Sequence, residues 1–220
     1  VSFDMKLSDT AHSTTCIVSA ADATSANNLL IVYEHGLDRW DIWIDGTLYN
    51  FDLDNTVEDR QWHSVTVTRQ GDQVSLYLDG SVVSQITASS ATIGADASGF
   101  VIGQDQDTVG GLFEANQSFK GELDNLTVWQ RALDGTEVSQ IAGGELVSGL
   151  TGFSTDCRLW MDFDSGSGST VQDNASGYDG TVYGGRWSRE DGLEAYYSFD
   201  DGQVRQEGYR EFAGSDTSYL

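Results

Sequence analysis

Two stretches of this chain restrict its fold more than any others. Trp40-Asp41-Ile42-Trp43-Ile44 alternates apolar and polar residues, Asp45-Gly46 follows, and Thr47-Leu48-Tyr49-Asn50-Phe51 alternates again. An Asp-Gly pair between alternating runs predicts a two-residue hairpin, because both turn residues must take a left-handed backbone and these two accept it. The arrangement recurs as Val74-Ser75-Leu76-Tyr77-Leu78, Asp79-Gly80 and Ser81-Val82-Val83. His63-Ser64-Val65-Thr66-Val67-Thr68 and the run from Leu123 to Trp129 read as further strands, and the apolar run Leu29–Tyr33 as a strand buried on both faces. A single short helix is expected where Asp134 caps Thr136–Ile141 and Gly143-Gly144 closes the turn. Many short strands joined by polar turns predict an all-β, two-sheet antiparallel sandwich with at most one short helix.

The C-terminal quarter repeats itself. Leu159-Trp160-Met161-Asp162-Phe163-Asp164-Ser165-Gly166 is similar to Ala195-Tyr196-Tyr197-Ser198-Phe199-Asp200-Asp201-Gly202. A unit this short cannot bury a core alone. The first copy is therefore expected to add a strand to the main sandwich. The second either does likewise or opens a further module. This places one domain over residues 1–187, with 188–220 as a C-terminal extension or the start of a truncated repeat. The chain opens at Val1 without an initiator Met or signal peptide, which reads as a piece of a longer protein with neighbouring modules.

With 35 acidic against 11 basic residues, the formal net charge is −24. Such a surface repels nucleic acid and anionic lipid and suits cations and neutral ligands. No apolar run is long enough for a membrane span, so membrane insertion is not expected. Cys16 and Cys157 are too few for a disulfide framework; they either pair or remain as small buried hydrophobes. Three glycosylation patterns begin at Asn116, Asn125 and Asn174. They are read as chance matches, since a glycan at Asn116 would block the loop described next.

Between Gly103 and Gly121 lie Asp105, Asp107, Glu114 and Gln117, with Gly110-Gly111 allowing the chain to double back. That brings three carboxylates and an amide oxygen into one short loop. Calcium takes six to eight hard oxygen ligands in irregular geometry, whereas magnesium demands a tight octahedron. Carboxylates converging without a cation would repel one another.

The run Ile102-Gly103-Gln104-Asp105-Gln106-Asp107, with Gly110-Gly111, Phe113-Glu114, Gln117-Ser118, Gly121-Glu122-Leu123 and Val128-Trp129 … Leu133, resembles the pentraxins and the wider laminin-G-like and concanavalin A-like jelly rolls. The resemblance covers roughly residues 1–165 and is specific over 102–133. It implies a two-sheet jelly roll with a double calcium site. By position, Asp105 and Asp107 fall on the family's bridging acids, Gln106 offers its backbone carbonyl, and Glu114 and Gln117 match the second-ion ligands. The family's Asp-Asn pair on an earlier loop falls on Ala26-Asn27-Asn28, with Asn27 the closer match and Asn28 the alternative. Loss of that Asp implies one firm calcium and one weaker. Cys16 occupies the family's first cysteine position, but Val65 stands at its partner's, so the family disulfide is absent. Residues that choline-binding members use have no clear match.

His12, His35 and His63 show no partner pattern, and there is no nucleophile elbow or phosphate loop. Glu122-Leu123-Asp124 begins a spacing found in jelly-roll glycosidases, but Thr127 stands where a second acid is required. The six tryptophans, Trp40, Trp43, Trp62, Trp129, Trp160 and Trp187, read chiefly as packing. The expectation is a non-enzymatic, calcium-dependent, lectin-like module of an extracellular adhesin or secreted protein, binding a glycan or other polar ligand through the ion. The alternatives are a calcium-stabilised structural or protein-interaction domain, and a jelly-roll polysaccharide-active enzyme or its accessory domain.

Overall fold

A computed structural model describes residues 1–7, 13–53 and 57–187, together with the backbone of 193–196, 198–200 and 203–205. His12, Tyr197, Asp201 and Gly202 lie outside the described residues, as does most of the expected extension. In chain order the strands are β1 (Ser2–Leu7), β2 (Thr14–Ala20), β3 (Leu29–Glu34), β4 (Arg39–Ile44), β5 (Thr47–Asp52), β6 (His63–Gln70), β7 (Gln73–Leu78), β8 (Ser81–Thr87), β9 (Phe100–Ile102), β10 (Lys120–Trp129), β11 (Cys157–Met161), β12 (Thr170–Val171), β13 (Gly180–Thr181), β14 (Arg186–Trp187), β15 (Leu193–Tyr196), β16 (Ser198–Asp200) and β17 (Gln203–Arg205). One sheet runs β5-β4-β3-β2-β9. The other runs β14-β15-β10-β1-β6-β7-β8, with β11 also paired to β10; the two small pairs are β12-β13 and β16-β17.

Both hairpins form as the sequence predicts. Asp45 and Gly46, and Asp79 and Gly80, all have φ between 49° and 79°, the left-handed pair that a two-residue turn requires. The sheets enclose one core. Phe3, Met5, Val65, Leu76 and Leu123 face it from the larger sheet, and Ile31, Tyr33, Trp40, Ile42 and Phe51 from the smaller. Each fully buried side chain of this size contributes roughly 1.5–3 kcal/mol. β3 is buried on both faces: the outward Leu30 and Val32 pack with Cys16 and Trp43 in a separate cluster.

The expected helix is α1 (Gly135–Ala142), with a full capping box between Asp134 and Glu137. Its Val138 and Ile141 join Trp129, Leu133, Val147, Leu150 and Cys157 in a further cluster. A second helical turn, α2 (Phe153–Asp156), goes beyond the single helix expected; it sits just before β11. Cys16 and Cys157 are both buried and unpaired, each in a different cluster.

The two repeat copies line one edge of β10 end to end. β11 pairs with Leu126–Trp129 and β15 with Lys120–Leu123. Since β14 pairs with β15, backbone pairing continues from residue 187 into the segment beyond it.

Candidate functional site

The loop between β9 and β10 is fastened at both ends and at its middle. Gly103 leaves the sheet with φ 80°; its N–H donates to the Ile17 carbonyl, and its carbonyl accepts from Phe119 N (2.8 Å each). Gln104 ties the two legs together: its Oε1 accepts from Asp105 N, and its Nε2 donates to the Glu114 carbonyl (3.0 Å each). Gln106 is fully buried. Its Nε2 donates to the Ser19 carbonyl and hydroxyl and to the Gly99 carbonyl, while its Oε1 accepts from Gly110 N at 2.7 Å. The side chain is thus a latch, which leaves only its backbone for the ligand role that the resemblance implies. At the tip, Thr108 and Gly111 pair across the doubling-back that Gly110, φ 63°, allows. Glu114 precedes a 3-10 turn, Ala115–Gln117, that Gln117 ends.

Gly99 makes the latch possible. A Cβ there would meet the Ala21 carbonyl oxygen at 2.2 Å, a separation no substituted residue could keep. Only glycine lets the 96–99 turn lie this close to β2.

Asp105 is buried, while Asp107 and Glu114 are exposed. Burial raises the Asp105 carboxyl above the usual carboxylate range; a hydrogen bond from Gln106 N at 2.8 Å opposes the shift, and the charges of Asp107 and Glu114 add to it. The three acids are therefore electrostatic neighbours. Asp105 also adds to the upward shift of the Cys16 thiol, after burial, which places it beside β2. Among the described residues, no three Asp, Glu, His or Cys side chains converge closely enough to hold a metal by themselves.

The earlier loop separates the two asparagines. Asn28 is committed: its Nδ2 donates to Asp22, and its Oδ1 accepts from Gly94 N (3.3 Å). Asn27 Oδ1 is buried without a hydrogen-bond partner. A buried amide oxygen costs about 1–3 kcal/mol when left unmade. Asp22 was absent from the sequence reading. It accepts from Thr24 N (2.8 Å), Thr24 Oγ1 (2.6 Å), Ser25 N (3.0 Å) and Asn28, and these bonds hold its carboxyl below the usual range. Its Asp-Ala-Thr setting is the Asx-turn pattern that could have flagged it. The donors thus fit calcium in kind, being hard oxygens only. The carboxylates alone do not form a set, so carbonyl and amide oxygens from Gln106, Gln117 and Asn27 would be needed to complete one.

Elsewhere, the spacing tested for hydrolysis carries other duties. Glu122 pairs with Lys6 at 2.8 Å, and the Thr127 hydroxyl accepts from Trp129 Nε1 at 3.0 Å. Asp124 lies opposite Asp4 in the strand register, beside a cavity of about 380 Å³ that His63 and Trp62 also line. Burial, then the charges of Asp4, Asp164 and Asp162, push Asp124 up to about 7 despite a bond from Asn125 N. His63 is held between Asp59 and Asp79 at 3.0 Å each. His35 bonds Glu58 and Thr15. No helix among the described residues is long and apolar enough to cross a membrane.

Residues 1–139 match the family described as the concanavalin A-like lectin/glucanases superfamily. Jeltraxin of Lepidobatrachus laevis is 31% identical over 117 residues, covering 52% of this chain and 51% of its own. A heptameric SAP-like pentraxin from Limulus polyphemus superposes with a TM-score of 0.56 at 26% identity, over 64% of this chain and 68% of that one. A Bacteroides ovatus protein, provisionally named a carbohydrate binding protein, superposes with a TM-score of 0.58 at 16% identity, over 82% and 50% of the two chains, and shares the fold. The chain spans between 11% and 51% of the length of the first curated relatives it matches.

Proposed function

The chain belongs to the concanavalin A-like lectin/glucanases superfamily, and from that premise we propose that it is a calcium-dependent carbohydrate-binding module of a longer extracellular adhesin or secreted protein. The observation that carries this reading is the β9–β10 loop. Its own hydrogen bonds hold Asp105 close to the charges of Asp107 and Glu114, while Asn27 Oδ1 lies buried without a partner. Both are costs that a cation would offset. Asp105, Asp107, Glu114, Gln117, Asn27 and the Gln106 carbonyl are the oxygens assigned to one firm calcium and a second, weaker one. Asn28 serves as a strut between Asp22 and Gly94 rather than as a ligand.

A bound calcium supplies coordination positions that vicinal sugar hydroxyls can fill in place of water. The residues around it do the rest. Gln104 and Gln106 keep the loop in one shape before any ligand arrives, which lowers the ordering cost of binding. The acidic surface favours neutral over polyanionic glycans. The relatives support the reading, as a pentraxin fold and a protein named for carbohydrate binding. We read the chain as non-enzymatic, because Glu122 and Thr127 are held by Lys6 and Trp129.

The test is a calcium titration read by melting temperature and by a glycan array. Calcium should raise the melting temperature and switch on array binding, and EDTA should reverse both. A chain whose stability and glycan binding ignore EDTA would end this assignment.

A further inference from the structure

A larger opening lies on the other side of the β9–β10 loop's neighbourhood. The smaller sheet ends at the three-residue β9, whereas the larger sheet continues past β10 into β11. The uncovered space is a cleft of about 1080 Å³, lined by the half-buried Phe100 and Ile102 and by the buried Met161, Phe163 and Val171. Ligand sites run to roughly 300–1000 Å³, so this one has room for an oligosaccharide rather than a single sugar.

Two tyrosines stand at its rim. Tyr178 and Tyr183 flank β13 and are 73% and 62% exposed. Exposed aromatic rings at a cleft offer flat apolar faces with a hydroxyl at each tip. The backbone that carries them is held without a ligand. Tyr178 N donates to Asp173 Oδ2 at 2.9 Å, Val182 N donates to the Ser169 carbonyl at 2.9 Å, and β13 is paired with β12. Asp173 itself accepts from four backbone amides, those of Trp160, Ala175, Ser176 and Tyr178. Thr181 and Asp179 supply polar groups between the two rings.

We propose that this cleft is a second carbohydrate site, independent of calcium, that takes a neutral glycan chain with sugar rings stacked on Tyr178 and Tyr183. The alternation of flat apolar surface and scattered polar groups matches a pyranose, whose C–H faces are apolar and whose edges carry hydroxyls. The charge argues for a neutral sugar. Asp96 and Asp179 line the cleft, and its one arginine, Arg158, is engaged with Gln130. Sulfated or uronate chains would meet an acidic wall on a chain of net charge −24. Tyr178, Asp179, Thr181 and Tyr183 all lie beyond residues 1–139, so the rings of this site come from outside the part matched by the superfamily, while Asp96, Phe100 and Ile102 on its other wall come from within it. Because the Gln106 latch holds the loop side of the cleft by protein bonds alone, the site does not wait for calcium.

The experiment is affinity electrophoresis of the full chain, in EDTA, through gels containing a soluble neutral polysaccharide: β-1,3-glucan, galactomannan, xyloglucan or mannan. Retardation by at least one of them is expected. Tyr178→Ala and Tyr183→Ala should each weaken it on the order of tenfold, the loss of one aromatic contact. Tyr178→Phe and Tyr183→Phe should keep most of it, with melting temperatures unchanged throughout. The proposal is overturned if no neutral polysaccharide retards the chain in EDTA, or if the double alanine variant migrates as wild type. It also falls if only polyanions such as heparin retard it, or if an extended apolar peptide binds the cleft in their place. Calcium-dependent glycan binding by a chain that no neutral polysaccharide retards in EDTA would support the loop site while removing this one.

Discussion

Asp105 and Asp173 are equally hidden, each 7% exposed, yet their surroundings treat them in opposite ways. Burial raises both, but around Asp173 four converging amides outweigh it and hold its carboxyl below the usual range. Asp105 has Gln106 N on one side and two acidic neighbours on the other, and its carboxyl rises. One loop is electrically finished and needs nothing further. The other keeps acceptor capacity and excess negative charge, which is the condition for recruiting a cation. A third carboxylate limits the lesson. Asp124 is also raised, to about 7, among Asp4, Asp162 and Asp164, with no set of oxygens assigned to a cation. A raised carboxyl therefore marks crowding; the latched loop makes Asp105 different.

The largest effect should come from Asp173→Ala. It strands the four amides and should cost about 3–5 kcal/mol by urea unfolding, with or without calcium. A loss under about 1 kcal/mol would mean water replaces the carboxylate and the loop is not self-contained. Asp105→Ala should behave in the reverse manner. In EDTA its stability should match or exceed wild type. The calcium-induced gain, about 2.7 kcal/mol at a hundredfold excess over Kd, should vanish. A wild-type-sized calcium response in this variant would break the comparison at its centre.

The pH dependence separates lowered from raised carboxyls by sign. A lowered carboxyl gives stability above its unfolded pKa, near 3.9, that is lost as pH falls through the folded value. Asp173→Asn should therefore cost less at pH 2.5 than at pH 7. A raised carboxyl works oppositely: its stabilisation holds below the unfolded pKa and is lost as pH rises through the folded one. Asp124→Asn should consequently gain on wild type between pH 5 and pH 8. With solvent screening discounted, the gain is about 1 kcal/mol in thermal melts. A pH-independent difference would show that Asp124 keeps an ordinary carboxyl. The smallest effect is expected at Asn27→Ala: a gain of under about 1 kcal/mol in EDTA, since removing the unpartnered oxygen outweighs the lost packing, but with weaker calcium binding by calorimetry. Asn28→Ala should do the reverse, loosening the loop without calcium.

How far the sequence could be read follows the range of the interactions. The Asp-Gly hairpins and the Asp134–Glu137 capping box are closed within a few residues, and each formed where expected. The β9–β10 loop was visible because its residue order resembles a known family. The duties of its side chains were not visible. Gln106 reaches Ser19, 87 positions away, and Asp173 reaches back to Trp160 only because β11 has joined the sheet. Tyr178 and Tyr183 come to line one cleft with Phe100 and Ile102 only through the packing of distant strands. Pattern rules describe neighbours along the chain, whereas these contacts are made by the sheets.

One arrangement in the larger sheet bears on how the chain comes to be folded. β1 lies at its centre, bonded to β6 on one side and to β10 on the other, with Lys6 facing Glu122 and Ser2 facing Thr66. As the chain is made, β1 thus waits for partners about 60 and 120 residues later. Loops of that length slow folding, and the unpaired apolar strand is meanwhile open to the wrong neighbour. Synthesis halted before residue 120 should yield a chain that aggregates, however well its two early hairpins form.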